Sequence, residues 1–270
     1  MKKRRNFSMN TLRSKSKKEY LPNKTPFDDN TSIQKANFGK LYLIPVPISD
    51  DNYDVIPEES IFLVRDLNYF VAEKAKSARK FLKKLDLDIH NIEILEFSKK
   101  KKLPISEYFE PVYRGESIGY MSEAGSPGIA DPGEELARYA HRAGIIVKPL
   151  TGPSSILLAL IASGLNGQNF TFHGYLPISK EKRRRSIMSI ERESRNNNST
   201  QIFIETPYRS DHLFNDLIST ASKSTLLTVA SDITSQEESI LTLPIYLWKK
   251  RKDGVNLQNK QTVFLLLARK

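Results

Sequence analysis

The sequence predicts an α/β fold in two halves of similar size, with a mainly parallel sheet in the first and a mixed sheet in the second. Three observations predict it. Apolar strands and amphipathic helices alternate from Lys40 to Thr220, which implies sheets with helices on their faces. Proline-bearing turns, the first two also carrying glycine, join strand to helix at three places: after Met121, after Leu150 and after Glu205. Three β-rich runs then crowd together at the end, Leu226–Ser231, Ser239–Tyr246 and Thr262–Ala268, and such spacing suggests hairpin pairing.

The elements follow in order. Residues 1–38 hold ten Lys/Arg against three acids and show no helical or strand period. This tail reads as a disordered solvated arm, or as an over-long start with Met9 as another beginning. An RNA-binding arm and an organelle-targeting segment are the sharper alternatives. Lys40–Val46 reads as a buried strand. Ser60–Val64 and Tyr69–Ala72 are short apolar, β-rich runs. Glu73–Leu85 carries Ala75, Ala78, Phe81, Leu82 and Leu85 at helical spacing. Ser117–Met121 is a strand, Gly133–Arg142 a helix stopped by Gly144, and Ile145–Leu150 a strand. The Leu150–Pro153 turn is the expected boundary between domains at 39–150 and 151–270. Beyond it come the apolar helix Ser154–Leu165, the strand Phe170–Tyr175, the basic helix Glu181–Arg195, the strand Gln201–Glu205 and the helix Arg209–Thr220.

Composition narrows the function. The net charge of +11 falls to +4 over residues 39–270, so the body is only mildly basic. There is no cysteine, which excludes disulfides and thiolate metal sites and fits a reducing, cytoplasmic setting. The longest apolar stretch, Ile156–Ala162, falls far short of the roughly 18 residues a membrane helix needs. The four histidines show no metal-ligand spacing, so no metal is expected. No Walker loop and no G-x-G-x-x-G follows a strand, which argues against ATP and NAD.

The three strand-turn-helix junctions carry the chemistry. In the first, Asp131 is placed to cap the helix that Pro132 and Gly133 open, with Glu134 as a capping-box partner. Taken singly, each is a well-capped junction. All three lie beyond the carboxyl ends of strands, where open α/β sheets bind ligands. Gly125, Gly128 and Gly152 allow close backbone approach, and Ser126, Ser154 and Ser155 add hydroxyls.

Six segments in order resemble the tetrapyrrole methylase family, and within it the small-subunit rRNA cytidine 2′-O-methyltransferase branch. Ser122–Gly133 (SEAGSPGIADPG) is similar to S-D-A-G-T-P-x-I-x-D-P-G. Leu41–Pro47 resembles the first strand. Val147–Leu165 resembles the P-G-P-S-A…SGL segment, and Phe170–Arg185 resembles F-x-G-F-L-P-x-K-x-x-R-R. Ile202–Arg209 resembles the strand ending E-S-x-H-R, and Val229–Glu238 resembles A-R-E-I-T-x-x-x-E. The resemblance implies a tetrapyrrole-methylase-like fold with a cofactor cleft between its domains, a homodimer, and S-adenosylmethionine as the methyl donor. Carried over by motif, the cofactor contacts are Pro45, Gly125, Ser126, Pro127, Ile129, Ala130, Ser154, Ser155, Ile204 and Ala230.

The resemblance implies methylation of rRNA at a ribose 2′-hydroxyl; a small tetrapyrrole-like acceptor, or a non-catalytic paralogue binding S-adenosylmethionine or RNA, are the alternatives. Three departures bear on the acceptor. Pro47-Ile48-Ser49-Asp50-Asp51 lacks the branch's Gly-Asn, Lys74-Ala75-Lys76-Ser77 replaces the D-T-R-H of its E-D-T-R-H, and Glu123 replaces an Asp. A hydroxyl acceptor needs a group to take its proton, and Glu73, Glu123 and Glu205 are the candidates. Lys180, Lys182, Arg183, Arg184 and Arg185 are candidate phosphate contacts beside Tyr175, and Lys99–Lys102 is a second basic run.

Overall fold

The computed structural model describes residues 37–49, 52–97 and 103–269. Most of the basic tail, Asp50-Asp51 and the Lys99–Lys102 run lie outside the described residues.

The first half is a five-stranded sheet, all parallel, in the order β3-β2-β4-β1-β5. Its strands are β1 (Lys40–Ile44), β2 (Tyr69–Ala72), β3 (Glu93–Glu96), β4 (Ile118–Met121) and β5 (Ile146–Pro149). Parallel sheets need cover on both faces, and here two clusters supply it. Val71 and Tyr120 face a cluster with Phe109, which immediately precedes α3 (Glu110–Tyr113), Val112 from α3, and Leu136 and Ala140 from α4 (Gly133–Arg142). Phe70 and Met121, one residue along on the same strands, face Val64, Ala78, Phe81 and Leu82 from α1 (Glu58–Arg65) and α2 (Ala75–Lys84). The strand period of two thus divides each strand between two cores.

The second half holds β6 (Phe170–Tyr175), β7 (Thr200–Glu205), β8 (Leu226–Ser231), β9 (Ser239–Pro244) and β10 (Thr262–Leu267). Their order is β6-β7-β10-β8-β9, with β6 and β7 parallel and the other pairs antiparallel. The mixed sheet predicted for this half is the observed one. The helices are α5 (Ser155–Ser163), α6 (Lys180–Asn197), α7 (Ser210–Thr220) and α8 (Ile245–Arg251). Gly164 ends α5 at φ +68, the left-handed cap that glycine adopts without steric cost. Among the described residues no helix is long and apolar enough to cross a membrane.

Several elements differ from expectation. Ser60–Val64, read as a β-rich run, lies within α1, where Ser60 and Val64 share the buried face at i and i+4. A short apolar run is ambiguous by itself; the deciding features are Glu58-Glu59 in the first turn and Arg65 in the last, which suit the helix dipole. The Ser239–Tyr246 strand stops at Pro244, and Ile245 begins α8 instead. There the Trp248 indole donates to the Leu227 carbonyl at 2.8 Å, tying α8 to the sheet. β3, α3 and the short 3-10 turn Ile105–Phe109 were not anticipated.

Candidate active site

The turn after β4 is held from three sides. Gly125, at φ +71, exchanges both backbone hydrogen bonds with Val46 (3.0 and 3.1 Å), so it locks onto the chain leaving β1. The Ser126 hydroxyl donates to the Pro153 carbonyl at 2.9 Å, which fastens the turn to the one after β5. Asp131 gathers the rest: its carboxylate accepts from the Gly128 amide (2.7 Å), the Gly133 amide (2.7 Å) and the Tyr120 hydroxyl (2.9 Å). Burial and the Asp131 charge push the Tyr120 hydroxyl far above the usual tyrosine range, so it stays a donor.

The cap therefore takes a different form from the one predicted. Asp131 does bind the Gly133 amide, but Pro132 holds the N-cap position, and the Glu134 carboxylate reaches Arg138 at 3.4 Å instead of closing a capping box. Ala130 sits at φ +64. That left-handed region costs a residue with a side chain roughly 1–2 kcal/mol, and such strain clusters at ligand sites.

A cavity of about 390 Å³ opens where the strand ends of the two halves meet. The Ser122–Ala124 and Ile129–Asp131 segments and Glu73 form one wall. Ser155, Tyr175 and Ile204–Pro207 form the opposite one. Ile156, Ile233 and Val263 add apolar surface. The volume falls in the range of small-molecule sites. Of the ten predicted cofactor contacts, Ile129, Ala130, Ser155 and Ile204 line it. Gly125 and Ser126 brace the turn from behind, and Ser154 accepts the Leu158 amide at the start of α5. Pro45 packs on Gly152, and Ala230 is buried within β8. Pro127 belongs to the same turn, between Ser126 and Gly128, without lining the cavity.

All three carboxylates singled out from the sequence reach this cavity. Glu73 follows β2, its amide donating to the Met121 carbonyl at 3.1 Å. Its carboxyl is pushed above the ordinary value by burial first, then by the charges of Glu123 and Asp131, against a bond from the Glu123 amide. Glu123 pairs with Lys74 at 2.6 Å, and that contact raises the Lys74 ammonium. Two departures from the family pattern are thus partners in one ion pair. Glu205 is buried at the end of β7. Its Oε1 accepts from Arg209 (2.5 Å) and from the Thr206 amide (2.7 Å), while its Oε2 has no hydrogen-bond partner among the described residues. The Tyr175 hydroxyl is pushed up by burial and by the charges of Glu205 and Glu73.

Sequence reasoning missed Thr262 and Val263. They line the cavity because β10 runs antiparallel, setting Thr262 beside both Glu205 and Ser231. No local pattern announces such a register.

The basic helix needs one correction. Arg183 is not a surface cation: it is 6% exposed, and its guanidinium is held by Asp216 (2.5 and 2.9 Å) and by the Ile178 carbonyl (2.8 Å). Arg184 also reaches Asp216, at 3.0 Å, and Arg185 pairs with Glu181. Lys180 and Lys182 are exposed. Of the histidines, His173 bonds Gln201 at 2.6 Å, and among the described residues no acid–histidine group is placed to hold a metal ion.

A parallel and a mixed sheet meeting over a cavity at their strand ends define a two-sheet α/β architecture with a cleft-type site. A family model of tetrapyrrole (corrin/porphyrin) methylases matches residues 40–247, and the chain belongs to that family. It is 28% identical over 205 residues to ribosomal RNA small subunit methyltransferase I of Vibrio cholerae, covering 76% of this chain and 68% of that one. It is 30% identical over 203 residues to the protein of the same name from Buchnera aphidicola, covering 75% and 68%. Among solved structures, diphthine synthase superimposes with a TM-score of 0.61 at 15% identity, over 85% of this chain and 90% of that one. The methyltransferase CobJ gives 0.57 at 15%, over 85% and 94%. Those two likenesses concern the fold.

Proposed function

We propose that this chain is an S-adenosylmethionine-dependent methyltransferase acting on ribosomal RNA at a ribose 2′-hydroxyl. It divides into two domains at the Leu150–Pro153 turn and works as a cytoplasmic homodimer. The observation that carries the reading is the cavity between the sheets, walled by the strained Ser122–Asp131 turn. The names of its relatives support the RNA acceptor.

The residues present fit the donor. Ile156, Ile204, Ile233 and Val263 offer an apolar wall for a flat ring. Ala130 and Ser155 bring backbone and hydroxyl groups to the same space, and the unpartnered Glu205 Oε2 is an acceptor for a ligand N–H or O–H. When bound, S-adenosylmethionine supplies a methyl group activated by its sulfonium. The protein's own task is then alignment, which contributes up to about 7–11 kcal/mol, and removal of one proton. Glu73 takes that proton on its carboxylate, because burial beside Glu123 and Asp131 makes it more basic than an ordinary carboxylate. Glu205, neutralised by Arg209, serves as an anchor. Lys180 and Lys182 hold RNA phosphates.

Mapping methyl groups on rRNA from cells with and without the gene tests the reading: loss of one ribose methylation is expected, and an identical map overturns it. The pocket is tested separately. A Cβ at Gly152 would stand 2.3 Å from Pro45 Cγ, and the proline ring cannot swing aside. Gly152→Ala is therefore expected to cost about 1–3 kcal/mol of stability and to weaken S-adenosylmethionine binding. Thermal denaturation and calorimetry report the two effects; unchanged affinity would place the ligand elsewhere.

A further inference from the structure

We propose that Tyr208, together with Tyr175, forms a stacking platform at the cavity mouth that admits single-stranded RNA with its bases splayed out, and rejects duplex RNA. The inference rests on the reading of the chain as an RNA methyltransferase and names the form in which RNA is taken.

The platform follows from topology. β6 and β7 run parallel, with Tyr175 beside Ile204 at their carboxyl ends. The turns that follow, 176–179 and 206–209, therefore leave the sheet side by side on the edge where the cavity opens. Four large apolar side chains sit exposed at the end of β6 and in the turns after β4, β6 and β7. Ile129 and Tyr175 line the cavity and are 44% and 53% exposed. Ile178, three residues past Tyr175, is 73% exposed. Tyr208, next to the cavity-lining Pro207, is 84% exposed. A cluster of exposed apolar groups at the rim of one site marks it as a binding surface.

The neighbouring charge selects the occupant. Lys180, Lys182 and Arg185 are exposed on the first turns of α6, which starts from the 176–179 turn. Flat rings flanked by cations suit bases on rings and phosphates on ammonium groups, the arrangement that binds unpaired strands. In duplex RNA the base faces are buried in the stack, so the rings have nothing to bind. The structure also explains why Tyr208 remains outside: Arg209 and Thr206 on either side of the Pro207-Tyr208 pair are committed to Glu205.

The test is fluorescence anisotropy on the full chain with a labelled single-stranded RNA and with the same sequence annealed to its complement. Tyr208→Ala is expected to weaken single-strand binding about 5- to 100-fold, the range base–aromatic stacking supplies. Tyr208→Phe, which keeps the ring, should stay within about twofold of the parent, and the weaker, charge-driven duplex binding should not change. Unaltered single-strand affinity in Tyr208→Ala overturns the platform and leaves the methyltransferase reading standing. A Tyr208→Ala chain that changes its sedimentation but not its RNA affinity assigns the patch to a second copy of the chain, and also overturns it. A parent chain that neither binds nor methylates RNA sinks both readings together.

Discussion

Glu73→Gln is expected to lower the rate of methyl transfer to a ribose hydroxyl by about 100- to 10,000-fold, the range lost when a positioned proton acceptor is removed. Glutamine keeps the size and can still accept the Glu123 amide, so binding of the methyl donor should hold while kcat falls. The pH profile supplies the independent check. The folded carboxyl titrates above its ordinary value because of burial and the charges of Glu123 and Asp131. Activity should therefore fall as pH drops through a point above the ordinary glutamate value, and that limb should vanish in the variant. Stability must move the opposite way. A carboxyl whose folded pKa exceeds its unfolded one binds its proton more tightly when folded, so its contribution is greatest at low pH and is lost as pH rises between the two values. At neutral pH the parent carries this penalty and Glu73→Gln does not. The variant should be slower and no less stable, a combination that mere misfolding does not produce. A kcat within about threefold of the parent would remove Glu73 from proton transfer and leave Glu205 or solvent.

The turns could be read because their physics is local. Gly125 and Gly128 are the residues that tolerate positive φ, and Asp131 is close enough in sequence to reach both the Gly128 and Gly133 amides. The parallel first sheet followed from strands separated by helices. What stayed hidden depended on distant residues. Nothing near Arg183 says that Asp216, 33 positions on, will receive its guanidinium. The KRRR run therefore read as an unbroken surface charge, although its second member is interior. Thr262 reaches the cavity only through the register of β10 between β7 and β8. The Lys74–Glu123 pair looked like two unrelated departures until the ends of β2 and β4 came together. Each of these three misses is a long-range pairing that local spacing does not encode.

Asp216→Ala is expected to destabilise the chain by about 3–5 kcal/mol, because it strands a buried guanidinium without its carboxylate. For a protein of this size that corresponds to a fall in Tm of roughly 6–20 °C. Asp216 is 4% exposed and serves two arginines at once, accepting from Arg183 on Oδ2 and from Arg184 on Oδ1. Arg183 in turn bonds the Ile178 carbonyl, so the pair clamps the 176–179 turn and the start of α6 against α7. The position of Lys180 and Lys182 follows from that clamp. Two controls separate clamp from charge. Replacing both partners, Arg183→Met with Asp216→Leu, should recover most of the lost stability, since exchanging a buried ion pair for packed apolar groups is often neutral. Lys180→Ala with Lys182→Ala should leave Tm nearly unchanged, as exposed substitutions do. It should lower the salt dependence of RNA binding by about one per lysine removed. If Asp216→Ala melts like the parent, the buried pair is not what fixes α6. If the lysine variant binds RNA like the parent at every salt concentration, phosphate recognition lies on another face.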